Sequence, residues 1–387
     1  MTRGLALRGA VIPPFLTADI ARRCAARRAR GLPVIAMHFG QPFEGPSPAA
    51  LEAASQSLGA KDPGYWESAP LRERLCRHYR ERYGVTLEPG QVLLTMGASA
   101  ALVGIFASAF AAGDRVAITC PGYPAYRAAL RAMHLVPVEL RVEAADGYHL
   151  AAERLAALEP APEGLLLASP ANPTGAVMGK LALRSVLETA RARGIRYISD
   201  EIYHGLGFAE DEHSALEFDP DVLVVGSFSK FYRMPGARLG WLVAPRAAAA
   251  AIHDCLINLF LTPPVTSQHA ALGAMDRPEE LVPSVAHYRR NRDRLVSGLA
   301  ALGIPAALPD GAFYLYADFG RYTADSLTLC RRAVDELGLG LAPGVDFDPD
   351  GGGRFVRLCF AVSEADLEAA LDALAGWLPH YRDEAPA

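Results

Sequence analysis

An α/β fold built on a mostly parallel sheet of seven strands, with helices on both faces and a smaller appendage, is what this 387-residue sequence predicts. Three observations carry the prediction. Between Gln91 and Trp241 short apolar runs alternate with loops and helical stretches, the pattern of parallel strands joined by crossover helices. The chain is 51% hydrophobic and 21% charged, enough for a sizeable core, and its length suits one large unit with a second, smaller one. The chemically suggestive residues fall just after the strand runs, where ligands collect in open α/β sheets.

Composition excludes several classes. Net charge is −5 without a long basic or acidic block, which disfavours nucleic acid and anionic membranes as partners. The six cysteines (Cys24, Cys76, Cys120, Cys255, Cys330 and Cys359) lie far apart with no CxxC pair, so they read as reduced core residues and not as a disulfide framework or a metal site. No stretch has the length and apolarity of a signal peptide or a membrane span, and cytoplasm is the expected compartment.

Taken in order, Thr17 or Asp19 is the expected cap of a helix whose arginines, Arg22 to Arg30, form a solvated face. The apolar run Val34 to Phe39 ends in Gly40-Gln41-Pro42, a turn that lets the backbone approach a small ligand closely; His38 there reads as a satisfied histidine. Helices are expected at Ser47 to Leu58 and at Pro70 to Tyr83, where Leu71, Leu75 and Tyr79 share helical spacing. The strand runs are Val92 to Thr95, Val116 to Thr119, Leu135 to Leu140, Leu165 to Ala168, Arg196 to Ser199, Val222 to Gly226 and Leu239 to Val243. Helices are expected between them at Ala98 to Ala111, Ala151 to Leu158 and Lys180 to Arg193.

Each strand end offers chemistry. Gly97-Ala98-Ser99 presents a small-residue turn at a helix start, a place for a phosphate. Tyr123, between Pro121-Gly122 and Pro124, is placed to lay its ring on a flat group. Asn172 precedes a proline, which keeps its backbone out of the helical region. Asp200 ends a buried run and needs a cationic partner, and Tyr203 follows it. Ser227-Phe228-Ser229-Lys230 closes another apolar run, with Arg238 beyond it. A desolvated lysine loses proton affinity and becomes a nucleophile, while the serines and Arg238 suit an anion. Lysine plus anion site is what pyridoxal phosphate requires. Plainer readings stand beside these: a surface lysine between strands, a simple helix start, a tyrosine that merely packs.

With these motifs in order, the chain resembles the class I/II aminotransferases of the fold-type-I pyridoxal-phosphate enzymes, from about Val34 to the end. The resemblance is carried by Gly-Ala-Ser, Pro-Gly-Tyr-Pro, Asn-Pro-Thr-Gly, Asp-Glu-Ile-Tyr, Ser-x-Ser-Lys with a downstream arginine, and Arg357-Leu358. It implies that Lys230 bonds pyridoxal 5'-phosphate as an imine and later shuttles a proton. Asp200 is to pair with the pyridine nitrogen, Asn172 and Tyr203 with the ring oxygen, and Tyr123 to stack on the ring. Gly97, Ala98, Ser99, Ser227 and Arg238 are to hold the phosphate. Arg357 is to take the substrate α-carboxylate in preference to the more exposed Arg354, near Gly40. Tyr65 matches a tyrosine that reaches a partner's phosphate, though the loop Tyr65 to Arg72 is shorter than the family's.

The resemblance further implies a homodimer and two domains, a large one over 46–287 and a discontinuous small one from 1–45 and 288–387 that closes over the substrate. The small one is to carry a strand at Gly311 to Tyr316, another at Val356 to Phe360, and helices at Ser326 to Leu337 and Glu364 to Leu378, with Gly338 and Gly340 ending the first. The expected activity is ping-pong transfer of an amino group between an L-amino acid and a 2-oxo acid, with 2-oxoglutarate or pyruvate as common acceptors. A lyase acting by β-elimination on the same scaffold is the alternative. A remoter one is an effector-binding regulator, which would carry a DNA-binding module ahead of the matching region. Phe15, Tyr65, Trp66, Phe260, Tyr314 and Tyr316 are the aromatics available for a substrate pocket.

Overall fold

Residues 12–59, 64–208 and 212–382 are described by the computed structural model. Twelve strands are assigned among them: β1 (Ile35–Ala36), β2 (Val92–Thr95), β3 (Arg115–Cys120), β4 (Val136–Arg141), β5 (Gly164–Ala168), β6 (Arg196–Asp200), β7 (Leu223–Ser227), β8 (Gly240–Val243), β9 (Tyr314–Asp318), β10 (Leu339–Gly340), β11 (Ala342–Pro343) and β12 (Phe355–Cys359). The large sheet has seven strands in the order β2-β8-β7-β6-β5-β3-β4. All neighbours from β7 to β4 are parallel, and β8 is antiparallel to both β7 and β2. Both faces of the central strands are covered, which is why β5 and β7 read as unbroken apolar runs.

This topology decides where a ligand can go. The chain runs outward from β3 to β4 and returns across β3 to β5, so the loops after β3 and β5 part at their carboxyl ends and leave a crevice. Tyr123, Asn172, Tyr203 and Lys230 follow the carboxyl ends of β3, β5, β6 and β7 in turn. Because β8 is antiparallel and starts at the end of the sheet where β7 stops, the twelve-residue Lys230 loop joins them without a crossover helix.

The smaller layer is an antiparallel sheet in the order β11-β12-β9, beside the parallel pair β1 and β10. Its core unites both chain ends: Ile20, Cys24 and Met37 pack with Leu295, Phe313, Leu358 and Leu374. All six cysteines are free. Among the described residues no helix is long and apolar enough to cross a membrane.

Two local expectations are corrected. Neither Thr17 nor Asp19 caps the first helix, Leu16–Ala29, which begins after Phe15 without a side-chain cap of its own. The amides of Leu16 and Thr17 donate instead to the carboxylate of Asp346, at 2.8 and 2.6 Å. First-turn amides need acceptors, and here the acceptor comes from 330 positions away; Asp19 pairs with Arg22, Arg23 and Arg331 on the surface. Gly338 does end a helical stretch, with φ of +76°, but Gly340 lies in β10 opposite Ala36. The Ala151 to Leu158 helix is also shorter than expected, Ala152–Ala156.

Candidate active site

A cavity of about 350 Å³ opens at the carboxyl ends of the large sheet. Gly40, Ala98, Ser99, Tyr123, Asn172, Asp200, Tyr203, Ser227, Lys230, Arg238 and Arg357 all line it, so residues spread over more than three hundred positions meet in one place. Gly97 sits behind it with φ of +80°, and a Cβ there would lie 2.6 Å from the Arg238 guanidinium. Only glycine allows both the left-handed backbone and that approach. Tyr65 is the exception: its side chain is 84% exposed and contributes nothing to this chain's own cavity.

Lys230 Nζ donates to the Gly40 carbonyl at 2.6 Å and lies 5.5 Å from the Tyr203 ring centroid. Desolvation among these neighbours pulls its pKa from the ordinary 10.5 to about 8. The sign is that of a buried base: the neutral, nucleophilic amine dominates above pH 8 and not only above 10.5. Capture of an added aromatic aldehyde by the cofactor-free protein is therefore expected to accelerate up to about pH 8 and then level off. Stopped-flow absorbance measures it, with Lys61 and Lys180 as the only other lysines in the chain. A rate still climbing at pH 10 would show an unperturbed amine.

Asp200 is buried and accepts from the Tyr126 hydroxyl at 2.5 Å and from the Ile202 amide at 3.2 Å. Burial raises its pKa to about 6 despite both donors. A buried carboxylate so placed is stabilised by a cation arriving from the cavity. Tyr126 escaped the sequence reading, although it lies one helical turn after Tyr123 in a helix opened by Pro124, a spacing that puts both on one face; their rings meet edge to face at 5.4 Å.

Arg357 is buried beneath the cavity, its guanidinium 4.6 Å from the Tyr314 ring centroid and 4.7 Å from that of Phe347. It donates to Asn172 Oδ1 at 3.0 Å and to the His38 carbonyl, while its Nε has no partner among the described residues. Arg354, by contrast, is on the surface and pairs with Asp318. His38 is buried, and desolvation together with Arg357 keeps it neutral by lowering its pKa to about 4.

The anion end gathers Ser227 and Ser229, whose hydroxyls are 2.9 Å apart, with Arg238 and the start of the helix Ala98–Ala109. Arg238 donates to the Pro235 carbonyl at 2.9 Å. Of the aromatics expected around a substrate, Phe15 and Tyr314 line the cavity. Tyr316 stacks on Phe355 at 4.8 Å, and Trp66 on His269 at 5.2 Å; neither they nor Phe260 line it. The Tyr314 hydroxyl shares a 2.7 Å hydrogen bond with that of Tyr203.

Gly40 is the tightest point. A Cβ on it would lie 1.8 Å from the Tyr314 hydroxyl, which is fully buried and tied to Tyr203. Gly40→Ala is expected to destabilise the protein by about 1–3 kcal/mol, the usual range for overpacking, and urea unfolding would measure it. An unchanged midpoint would mean that Tyr314 has room to move.

Comparison with known proteins agrees with this geometry. The family model for aminotransferase class I and II matches residues 33–374. The chain is 39% identical to the valine–pyruvate aminotransferase of Mycobacterium tuberculosis, covering 98% of this chain and 100% of that protein. It is 31% identical to the aspartate/prephenate aminotransferase of Thermus thermophilus, over 96% and 98% of the two. Among solved structures, an aminotransferase from Mycobacterium tuberculosis superposes with a TM-score of 0.94 at 38% identity, covering 98% of this chain and all of that one. An aspartate aminotransferase from Thermus thermophilus with maleate gives 0.91 at 29%, over 97% and 100%. The fold is therefore that of the fold-type-I aminotransferases, and the chain belongs to the aminotransferase class I and II family, making it an enzyme of the transaminase class.

Proposed function

We propose that this enzyme moves an amino group between an L-amino acid and a 2-oxo acid in a ping-pong cycle, with pyridoxal 5'-phosphate held at Lys230. The observation that carries the reading is one cavity holding a lysine amine of lowered pKa, a buried carboxylate and a planar buried cation. Two features fit the cofactor: the Gly97–Arg238 cradle would be filled by any Cβ, and among the described residues Asp200 is a buried carboxylate without a cation in hydrogen-bonding contact. The Arg357 Nε, unpaired among the described residues, fits the substrate carboxylate. Bound there, pyridoxal phosphate supplies an aldehyde that condenses with amines and a ring that accepts the electron pair left when the Cα proton departs.

Ala98, Ser99, Ser227 and Arg238 would hold the phosphate, Arg238 as a charge-assisted donor. Asp200 would hold a proton at the ring nitrogen, and Asn172 and Tyr203 would face the ring oxygen. Tyr123 would stack on the ring. Lys230 Nζ carries the proton between the substrate Cα and its destination, a task suited to an amine whose pKa is near neutrality. Arg357 orients the substrate by its α-carboxylate. With the chain divided into a 46–287 domain and one from both chain ends, Arg357 would lie on the smaller piece, and its closing over substrate would exclude water. Tyr65, exposed here, would serve a second subunit in a homodimer.

The test is the visible absorbance of the purified protein, supplied with cofactor, before and after single amino acids. A yellow band that bleaches with a donor and returns with pyruvate or 2-oxoglutarate supports the reading. The relative named for valine and pyruvate makes those two the first to try. Ammonia release in place of bleaching would indicate a lyase, and no band at all would defeat the proposal.

A further inference from the structure

A second cavity, of about 550 Å³, adjoins the first and shares Phe15 and Tyr123 with it as common walls. Its lining is largely apolar, with Ile12, Pro13, Pro14, Leu16, Pro124 and Ala128. Most charges in it are already engaged. Arg127 donates to Glu139 at 2.5 Å, and Asp346 accepts from the Leu16 and Thr17 amides. Arg131 and Asp350, one of each sign, complete the charged lining.

The first cavity has three lining cations among the described residues, Lys230, Arg238 and Arg357. Each has a place in the transaminase reading, so none remains for a second carboxylate on the substrate. What the cavity offers a side chain is apolar: Phe15 and Phe39 are 43% and 40% exposed, beside Leu102 and Pro235. Open aromatic surface at a cavity wall gains free energy when a ligand covers it.

The anchor of Phe15 is tied to the arginine for the α-carboxylate. Ala342 in β11 pairs with Arg357 in β12, and the chain leaving β11 turns at once through Gly344–Asp346. Asp346, 5% exposed, grips the Leu16 amide with one oxygen, and the Thr17 amide and hydroxyl with the other at 2.6 Å each. One small sheet thus sets both the carboxylate site and the wall at Phe15.

Resting on the transaminase reading, we infer that the donor's side chain runs past Phe15 into the second cavity. The enzyme accordingly selects monocarboxylic amino acids with extended aliphatic or aromatic side chains. Phe15 is the specificity-determining wall and Asp346 its positioning residue.

The test uses holoenzyme and kcat/KM for alanine, valine, leucine, phenylalanine, aspartate and glutamate with one fixed acceptor. Leucine or phenylalanine is expected to exceed alanine by at least about tenfold, since one methylene in an apolar pocket is worth about 10–200-fold, and both acidic donors to fall below alanine. Ala128→Leu, which fills the second cavity, is expected to cut the leucine-to-alanine ratio at least about tenfold; should it fail to fold, Ala125→Leu on the same wall replaces it. Asp346→Asn is expected to raise KM for leucine severalfold with kcat retained, a split that general damage to the fold would not produce. An acidic donor matching leucine, a ratio unmoved by filling the cavity, or kcat and KM changing together in Asp346→Asn overturns the inference alone. An enzyme that turns over no donor overturns the transaminase reading, and this inference with it.

Discussion

Lys230→Ala is expected to lower amino transfer at least about 10⁴-fold, the upper end of what one positioned acid–base group contributes, and to abolish borohydride fixation of the cofactor. Two functions disappear together in the proposed cycle, the amine that holds the cofactor and the base that carries the proton. Among the described residues the one other lysine, Lys180, starts a helix and does not line the cavity. Peptide mapping after reduction distinguishes the roles. A labelled peptide containing residue 230 in wild type and none in the variant supports the assignment. A covalent adduct at the same peptide in the variant would sink it.

Arg357→Lys is expected to reduce kcat/KM by about 10²- to 10³-fold, although the charge is kept. Hydrogen bonds to charged groups contribute about 1.5–3 kcal/mol each, and a lysine cannot reproduce a planar fork with two donors. The position is also built for a plane, with aromatic rings 4.6 and 4.7 Å from the guanidinium and Asn172 fixing its rotation. An ammonium there would leave Asn172 Oδ1 or the His38 carbonyl without its donor. Arg354→Lys serves as the control: its pair with Asp318 is exposed on the arginine side, and such pairs contribute about 0–1 kcal/mol. If both variants lose activity equally, Arg357 is not the carboxylate site.

The strands of the large sheet were legible because a strand covered on both faces is an uninterrupted apolar run, and β7 reads that way from Leu223 to Gly226. The positions of Lys230, Asp200, Asn172 and Tyr123 were legible for a related reason. Each follows such a run, and parallel topology brings all carboxyl ends to one edge. Tyr126 was readable from its spacing and was overlooked.

Other features had no local signal. The Thr17 hydroxyl looked like a cap, yet the first turn is held by Asp346. The pairing of Tyr203 with Tyr314 and the second cavity beside Phe15 each join segments more than a hundred positions apart, and the stack of Phe347 on Arg357 depends on how the intervening turns fold back. Tyr316 shares a face of β9 with Tyr314 two residues before it, yet its ring stacks on Phe355 outside the cavity.

By itself the sequence determined the class of fold, the order of its strands along the chain and the family. Periodicity, turn residues and motif order are properties of neighbours along the chain. The tertiary structure alone decided which hydroxyl meets which carboxylate, how far the lysine's pKa falls and what surrounds a substrate side chain. Those depend on burial and on distances of a few ångströms between residues that only folding brings together.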